Sequence, residues 1–192
     1  MQKKPILQHL GIMMDGNRRW AKKHGLSSFF GHKHGKSKVN DVVKWTVDRG
    51  IKYLTIWAFS TENWSRSKTE INYLMSLLKK AFIEDVKDLH EQGIKIKFLG
   101  RMEGLSKDVQ EGFLQAVELT KNNTKAILNI AFNYGGQQEI VDATNKILQA
   151  GIKKISLKDF EKGSSNGACF KKRINSGKTS RVDSENQNKH LS

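Results

Sequence analysis

Three polar clusters, each directly after an apolar run, hold the residue types that could do chemistry. The first is Asp15-Gly16-Asn17-Arg18-Arg19-Trp20: a carboxylate, a glycine that admits close backbone approach, and two guanidiniums at the start of an expected helix. Helix-terminal amides and arginine forks bind phosphate oxygens. An aspartate beside them can hold Mg2+, a hard cation that takes carboxylate and phosphate oxygen. The chemistry this predicts is capture of a diphosphate with Asp15 as metal ligand; the plain alternative is a capped helix start with solvated arginines. The second cluster, Ser60-Thr61-Glu62-Asn63-Trp64-Ser65-Arg66, gathers hydrogen-bonding groups and one cation in a loop before a long helix. A capping loop explains Ser60 and Thr61 but hardly Trp64. The third, Asn133-Tyr134-Gly135-Gly136, has paired glycines that could admit a ligand to the backbone or could simply form a tight turn.

Gly31-His32-Lys33-His34-Gly35-Lys36-Ser37 invites comparison with a nucleotide-binding loop, but three residues separate its glycines where that loop needs four. Two histidines without a third ligand are weak evidence for a metal site. His32 is expected to donate to a phosphate and His34 to be a solvated surface residue.

The elements that must position these residues follow from apolar spacing. Runs rich in β-branched residues at 9–14, 53–59, 94–99 and 126–132 predict buried strands. Between them, Val39, Val42, Val43 and Val47; Ile71, Leu74, Met75, Leu78, Phe82 and Val86; and Val109, Phe113, Ala116 and Val117 have helical spacing. Ile140, Val141, Thr144, Ile147 and Leu148 continue the alternation. The expected fold is α/β: a central, mainly parallel sheet with right-handed crossover helices on both faces. In such sheets ligands bind beyond the carboxyl ends of the strands, where all three clusters fall. Trp45, Trp57, Phe59, Phe82 and Phe113 are read as packing residues, not as a platform for bases.

The chain has 192 residues, enough for one domain with a real core. Residues 1–162 are expected to form that unit. From Gly163 onward Ser, Asn, Lys and Gly dominate, and 163–192 is expected to be a divergent, disordered tail. A formal charge of +15 attracts anions of any kind, so nucleic acid, anionic lipid and polyphosphate ligands all stay open. No nucleic-acid-binding motif is present, and acidic Asp15 and Glu62 sit among the special residues, so nucleic acid is not the expected partner. A single cysteine, Cys169, excludes an internal disulfide and fits a reducing compartment. The expected location is the cytoplasm, with at most peripheral contact at the inner face of the membrane, since no apolar run is long enough to span a bilayer.

Taken in order, Gly11-Ile12-Met13-Met14-Asp15-Gly16-Asn17-Arg18-Arg19-Trp20-Ala21, Gly31-His32-Lys33, Ala58-Phe59-Ser60-Thr61-Glu62-Asn63-Trp64-Ser65-Arg66 and Asn133-Tyr134-Gly135-Gly136 resemble the cis-prenyltransferases of the undecaprenyl diphosphate synthase kind. The resemblance covers residues 6 to about 162. It implies condensation of isopentenyl diphosphate with an allylic diphosphate such as farnesyl diphosphate, in cis, toward a polyprenyl diphosphate such as the undecaprenyl carrier for wall synthesis. It further implies Mg2+ on Asp15 and a diphosphate held by Gly16, Asn17, Arg18, Arg19, Trp20 and His32. Asn63 appears in the family as proton acceptor, although a neutral amide is a poor base and a positioning role suits it better. Ser60, Thr61, Glu62, Trp64 and Arg66 are implied substrate contacts. Glu70 is implied at the entrance of a tunnel lined by apolar residues of the helix from Ile71, and a homodimer is the implied assembly.

The family's arginine-rich loop, Ser-Asn element and Glu, which complete the isopentenyl diphosphate site, are not found after Phe160. Lys171, Lys172, Arg173 and Arg181 carry no transferred role, and Ser28 stands where an arginine is frequent in the family. The expected structure therefore lacks the family's C-terminal part and has an open sheet edge, as a frame shift near residue 163 would produce. Activity then rests on an incomplete site, and a non-catalytic partner subunit or a basic nucleic-acid-binding protein is the alternative.

Overall fold

A computed structural model describes residues 7–152, 156 and 180–182. Four apolar segments form strands, β1 (His9–Met13), β2 (Tyr53–Ser60), β3 (Ile94–Gly100) and β4 (Ala126–Tyr134), close to the predicted bounds. The intervening helices are α1 (Asn17–Lys23), α2 (Ser28–Asp48), α3 (Lys68–Glu91), α4 (Lys107–Thr120) and α5 (Gly136–Gln149), with a 3-10 turn at Thr61–Ser65. A further strand, β5 (Ser180–Val182), makes a five-stranded sheet in the order β3-β4-β2-β1-β5. All its pairings are parallel, as the α/β expectation requires.

Register decides which side chains meet. Leu10 stands beside Leu54, Ile12 beside Ile56, and Ile56 beside Ile130. Alternate residues of neighbouring strands share a face, so these form one apolar surface. Val43 of α2, Val86 and Leu89 of α3 and Ala116 of α4 complete the cluster against it. A second cluster unites Phe59, Val109, Phe113 and Phe132 under Phe82 and Phe98. Phe113 is fully buried, with Phe82 and Phe98 rings edge-on at 4.5 and 4.6 Å. Thr120, also sealed, accepts from the Ile96 amide and donates to the Ala116 carbonyl, which fixes α4 to β3.

Three expectations change. Trp45 is 44% exposed, with the Arg49 guanidinium 4.0 Å above its ring. It lies two residues past buried Val43, about 200° around the helix, and so faces away from the core. In α5 the inward residues are Ala143 and Ile147, while Ile140, Val141 and Leu148 are exposed. Within the tail, Ser180–Val182 pairs with β1, so a strand lies along the β1 edge that was expected to be open. A ladder is bonded through main-chain groups, which side-chain composition does not report. The rest of 163–192 lies outside the described residues. At the opposite edge, β3 carries Lys95 and Lys97, charges of the sort that discourage edge-to-edge pairing.

Replacing Phe113 by Ala should cost about 3–5 kcal/mol, read as a lower urea midpoint, because the surrounding rings cannot all collapse into the void. A pH effect follows from the Lys79–Asp108 pair joining α3 to α4. The Lys79 amine, helped by Ser106, draws the Asp108 carboxyl from 3.8 down to about 2. A lowered carboxylate value stabilises the fold above the ordinary value and is lost on acidification. The difference in urea midpoint between wild type and Asp108→Asn should therefore be constant at neutral pH and shrink between pH 4 and pH 2.

Candidate active site

A cavity of about 910 Å3 opens between the sheet and the α2–α3 pair. Its mouth lies at the carboxyl ends of β1 and β2, where Asp15, Gly16, Asn17, Arg18, Arg19, Asn63 and Arg66 line it. Its interior is apolar: Ile56, Ala58 and Phe59 from β2, Leu128, Ile130 and Phe132 from β4, and Leu74, Leu77, Leu78 and Ala81 from α3. A register shift after Trp57 lets both Ala58 and Phe59 join the wall.

The mouth is built by a backbone reversal. Gly16, at φ 87°, turns the chain out of β1 into α1, a conformation that side chains with a Cβ resist. The Gly16 amide donates to the Asp15 carboxylate at 2.5 Å, and Arg19 pairs with its other oxygen at 3.1 Å. Arg18, Arg19 and Asp15 are all exposed, so a ligand's anionic head would meet them in water. Behind them α1 crosses α2 at two glycines. A Cβ on Gly31 would sit 2.1 Å from the Asn17 carbonyl oxygen, and one on Gly35 2.5 Å from the Asn17 side chain. The spaced glycines are thus a helix crossing in the first turns of α2, not a phosphate loop, in line with the count against it.

Glu70 gathers the second part of the rim. This carboxylate is 8% exposed and meets His32 Nε2 at 3.0 Å and Arg66 Nη1 at 3.2 Å through the same oxygen. It fastens α2, α3 and the end of the 3-10 turn together.

Asn63 closes a capping box on the turn: the Ser60 amide donates to its Oδ1 at 3.1 Å. That oxygen is committed to the backbone, so the group Asn63 can offer a ligand is its Nδ2 donor. This geometry favours positioning over proton acceptance. The backbone amide and the Ser60 and Thr61 hydroxyls hold the Glu62 carboxyl below its usual range.

Of the residues singled out from sequence, Asp15, Gly16, Asn17, Arg18, Arg19, His32, Asn63 and Arg66 line the cavity, while Trp20, Ser60, Thr61, Glu62 and Trp64 do not. Trp20 is stacked between His24 and His34, at 4.4 and 4.3 Å, and so joins α1 to α2. His34 is exposed, as expected, but it has this ring partner. The Trp64 indole donates to Asn133 Oδ1 at 2.7 Å, and Asn133, itself at φ 49°, donates to the Arg101 and Glu103 carbonyls. Gly135 makes room for Thr61 Oγ1, 2.5 Å from where its Cβ would be. The third cluster therefore braces the second. The strand residues of the cavity wall were read only as core; the β2/β4 register is what brings them to the pocket. Among the described residues no three His, Cys, Asp or Glu side chains gather as a metal cluster, leaving Asp15 as the carboxylate at the mouth.

A parallel α/β sheet with a basic mouth over an apolar cavity at its carboxyl edge defines a class of protein with an amphipathic pocket. The family model of undecaprenyl diphosphate synthase matches residues 13–184, and the chain belongs to that prenyltransferase family. The matched span is longer than the motif resemblance and includes β5. The chain is 46% identical over 154 residues to an isoprenyl transferase of Rickettsia felis, covering 80% of this chain and 66% of that one. It is 48% identical over 144 residues to a Pasteurella multocida protein named as a farnesyl-diphosphate-specific ditrans,polycis-undecaprenyl-diphosphate synthase, covering 75% and 60%. The chain thus spans about two thirds of the length of the curated relatives it matches. Among solved structures, lavandulyl diphosphate synthase of Lavandula x intermedia in complex with dimethylallyl diphosphate superposes with a TM-score of 0.79 at 31% identity, covering 84% of this chain and 72% of that one. These relationships do not favour the nucleic-acid alternative. No helix among the described residues is long and apolar enough to cross a membrane.

Gly31→Ala should push α1 away from α2 and cost about 1–3 kcal/mol, seen as a lower urea midpoint. Because the displaced Asn17 lies beside Arg18 and Arg19, affinity for inorganic diphosphate should fall with it in calorimetry.

Proposed function

We propose that the protein is a cis-prenyltransferase that joins isopentenyl diphosphate to an allylic diphosphate, farnesyl diphosphate being the expected starter, to make a polyprenyl diphosphate. The observation that carries this reading is the cavity itself: cations and amides at a mouth beyond the strand ends, leading to a wall of Leu, Ile, Ala and Phe. A diphosphate head suits the first and an isoprenoid tail the second.

The Asp15–Arg19 ion pair stands at the mouth. A diphosphate would draw Arg18 and Arg19 to its oxygens, freeing Asp15 for a cation. One carboxylate plus phosphate oxygens is a donor set that suits Mg2+, which is commonly held by one or two carboxylates together with substrate phosphates. When bound there, Mg2+ would supply positive charge that makes the diphosphate a better leaving group. The allylic carbon–oxygen bond breaks with its electron pair going to the departing diphosphate. The alkene π electrons of isopentenyl diphosphate bond its terminal carbon to the allylic carbon, and a proton leaves C2 for a diphosphate oxygen while the C–H electrons form the new C2–C3 double bond. Arg18, Arg19 and the Asn17 region hold the anion that departs, Asn63 orients substrate through Nδ2, and His32 and Arg66 sit in orientations held by Glu70. The apolar wall takes the growing chain and excludes water from the allylic centre.

Two finer features belong to the same proposal. A homodimer is the expected assembly, and the +15 charge supports peripheral contact with an anionic membrane surface, where so apolar a product would be delivered.

Incubation of the purified chain with farnesyl diphosphate, labelled isopentenyl diphosphate and Mg2+ should give butanol-extractable label, abolished by EDTA. Asp15→Ala should keep the circular dichroism spectrum and lose on the order of a hundredfold or more in turnover, the scale of removing one preorganised electrostatic group. A folded chain that binds farnesyl diphosphate without product would instead be a binding subunit, and full turnover in Asp15→Ala would sink the metal role.

A further inference from the structure

A stretch of one charge sign stands beside the cavity mouth. Between Asp15 and Asp41 the sequence holds seven Lys or Arg and no acidic residue. Neighbouring acids do not offset it: Asp15 is paired with Arg19, and Glu70 is buried against His32 and Arg66. Within the stretch, the turn from α1 into α2 also carries two large apolar side chains in the open, Leu26 at 40% and Phe30 at 58% exposure. Lys22, Lys23 and Lys33 are exposed on the helix ends that flank this turn.

The exposure is built in. α1 closes with the Gly25 amide on the Lys22 carbonyl at 3.2 Å and the Leu26 amide on the Ala21 carbonyl at 2.9 Å, with Gly25 at φ 67°. This left-handed ending fixes where the backbone of Leu26 runs. Phe29 turns inward to the Tyr73 ring at 4.6 Å, Gly31 lies against Asn17, and Phe30 between them faces out. Lys33, three residues on, shares the Phe30 face of α2. An apolar tip is thus held among cations by hydrogen bonds and packing behind it.

Continuity with the cavity says what the tip meets. Lys22, Gly25, Leu26 and Ser28 also line the cavity, so the tip is part of its edge. A second copy of the chain would bring like charges together, and nucleic acid would find in Leu26 no ring on which to stack a base. A bilayer with anionic headgroups offers both halves of the match: phosphate charge for the lysines and acyl chains for Leu26 and Phe30.

Resting on the reading of the cavity as a prenyl diphosphate site, we propose that the α1–α2 turn seats the protein on an anionic membrane surface, with Leu26 and Phe30 in the headgroup layer and the cavity mouth facing lipid. The contact belongs to this turn and not to the overall charge. A prenyl product then leaves the apolar wall for acyl chains without wetting its tail.

The test is cosedimentation with vesicles of phosphatidylcholine alone or with about a third phosphatidylglycerol. Compared are the wild-type chain, F30E, K23E/K33E and K121E/K125E, with circular dichroism checking each fold. Lys121 and Lys125 precede β4, at the amino ends of the strands, so K121E/K125E loses the same charge as K23E/K33E away from the tip. Wild type should bind the anionic vesicles and not the neutral ones. F30E should bind at least about tenfold more weakly, the scale of one apolar side chain. K23E/K33E should lose about as much, at about fivefold per lysine near such a surface, whereas K121E/K125E should stay within about twofold of wild type. Equal losses in the two lysine pairs, or unchanged binding in F30E, overturn the seat, as does a wild type that ignores anionic vesicles. So does a wild-type dimer that F30E turns into a monomer, since the tip would then lie between copies. Farnesyl diphosphate binding is measured by calorimetry on the same wild-type preparation. Vesicle binding without it supports the seat and removes the prenyl reading; ligand binding with no vesicle binding does the reverse.

Discussion

The helices α2 and α3 that roof a cavity of about 910 Å3 are joined by an apolar cluster of Val43, Val86 and Leu89 and, at the cavity's rim, by polar bonds. Glu70 is the principal fastening. Its single oxygen engages His32 and Arg66, so one buried carboxylate ties α2 to α3 and both to the turn after β2. A buried carboxylate without such partners would be expensive, and the partners would be free to swing without it. The same contact thus ties α2 to α3 and aims two site residues at the mouth. Lys36 and Asp85 join the same two helices a second time.

The polar mouth depends on backbone geometry more than on the charged groups that attract attention. Gly16 turns the chain from β1 into α1, and Gly31 and Gly35 let α1 lie against α2. The stack of Trp20 between two histidines holds the crossing from the solvent side. Trp64 and Asn133 perform the corresponding service for the second loop, pinning the 3-10 turn to the end of β4 and to the loop after β3. Trp20 and Trp64, which look like ligands in a linear motif, also brace the elements that carry the site.

Four strands and the helices between them were legible because buried parallel strands read as unbroken β-branched runs while the crossover helices keep a helical stripe. Asp15, Arg18, Arg19, Asn63 and Arg66 were legible as a candidate site because ligands of parallel sheets bind beyond the carboxyl ends of the strands, and His32 because its motif resembles the family's. Trp45 misled because an aromatic residue near a valine stripe looks buried until its angle around the helix is fixed. β5 escaped because Ser180–Val182 is held by main-chain hydrogen bonds to β1, which leave no mark in side-chain composition.

By itself the amino-acid sequence determined the alternation of strand and helix, the chemistry available at the strand ends and the family to which the motifs point. Those depend on local spacing and residue type, which are one-dimensional properties. Only the tertiary structure decided which residues share a cavity, that Trp20 and Trp64 pack instead of lining it, and that Lys36 meets Asp85 across forty-nine positions. These depend on sheet register and helix crossing, where the positions of distant segments are set jointly by packing, and no local pattern carries that information.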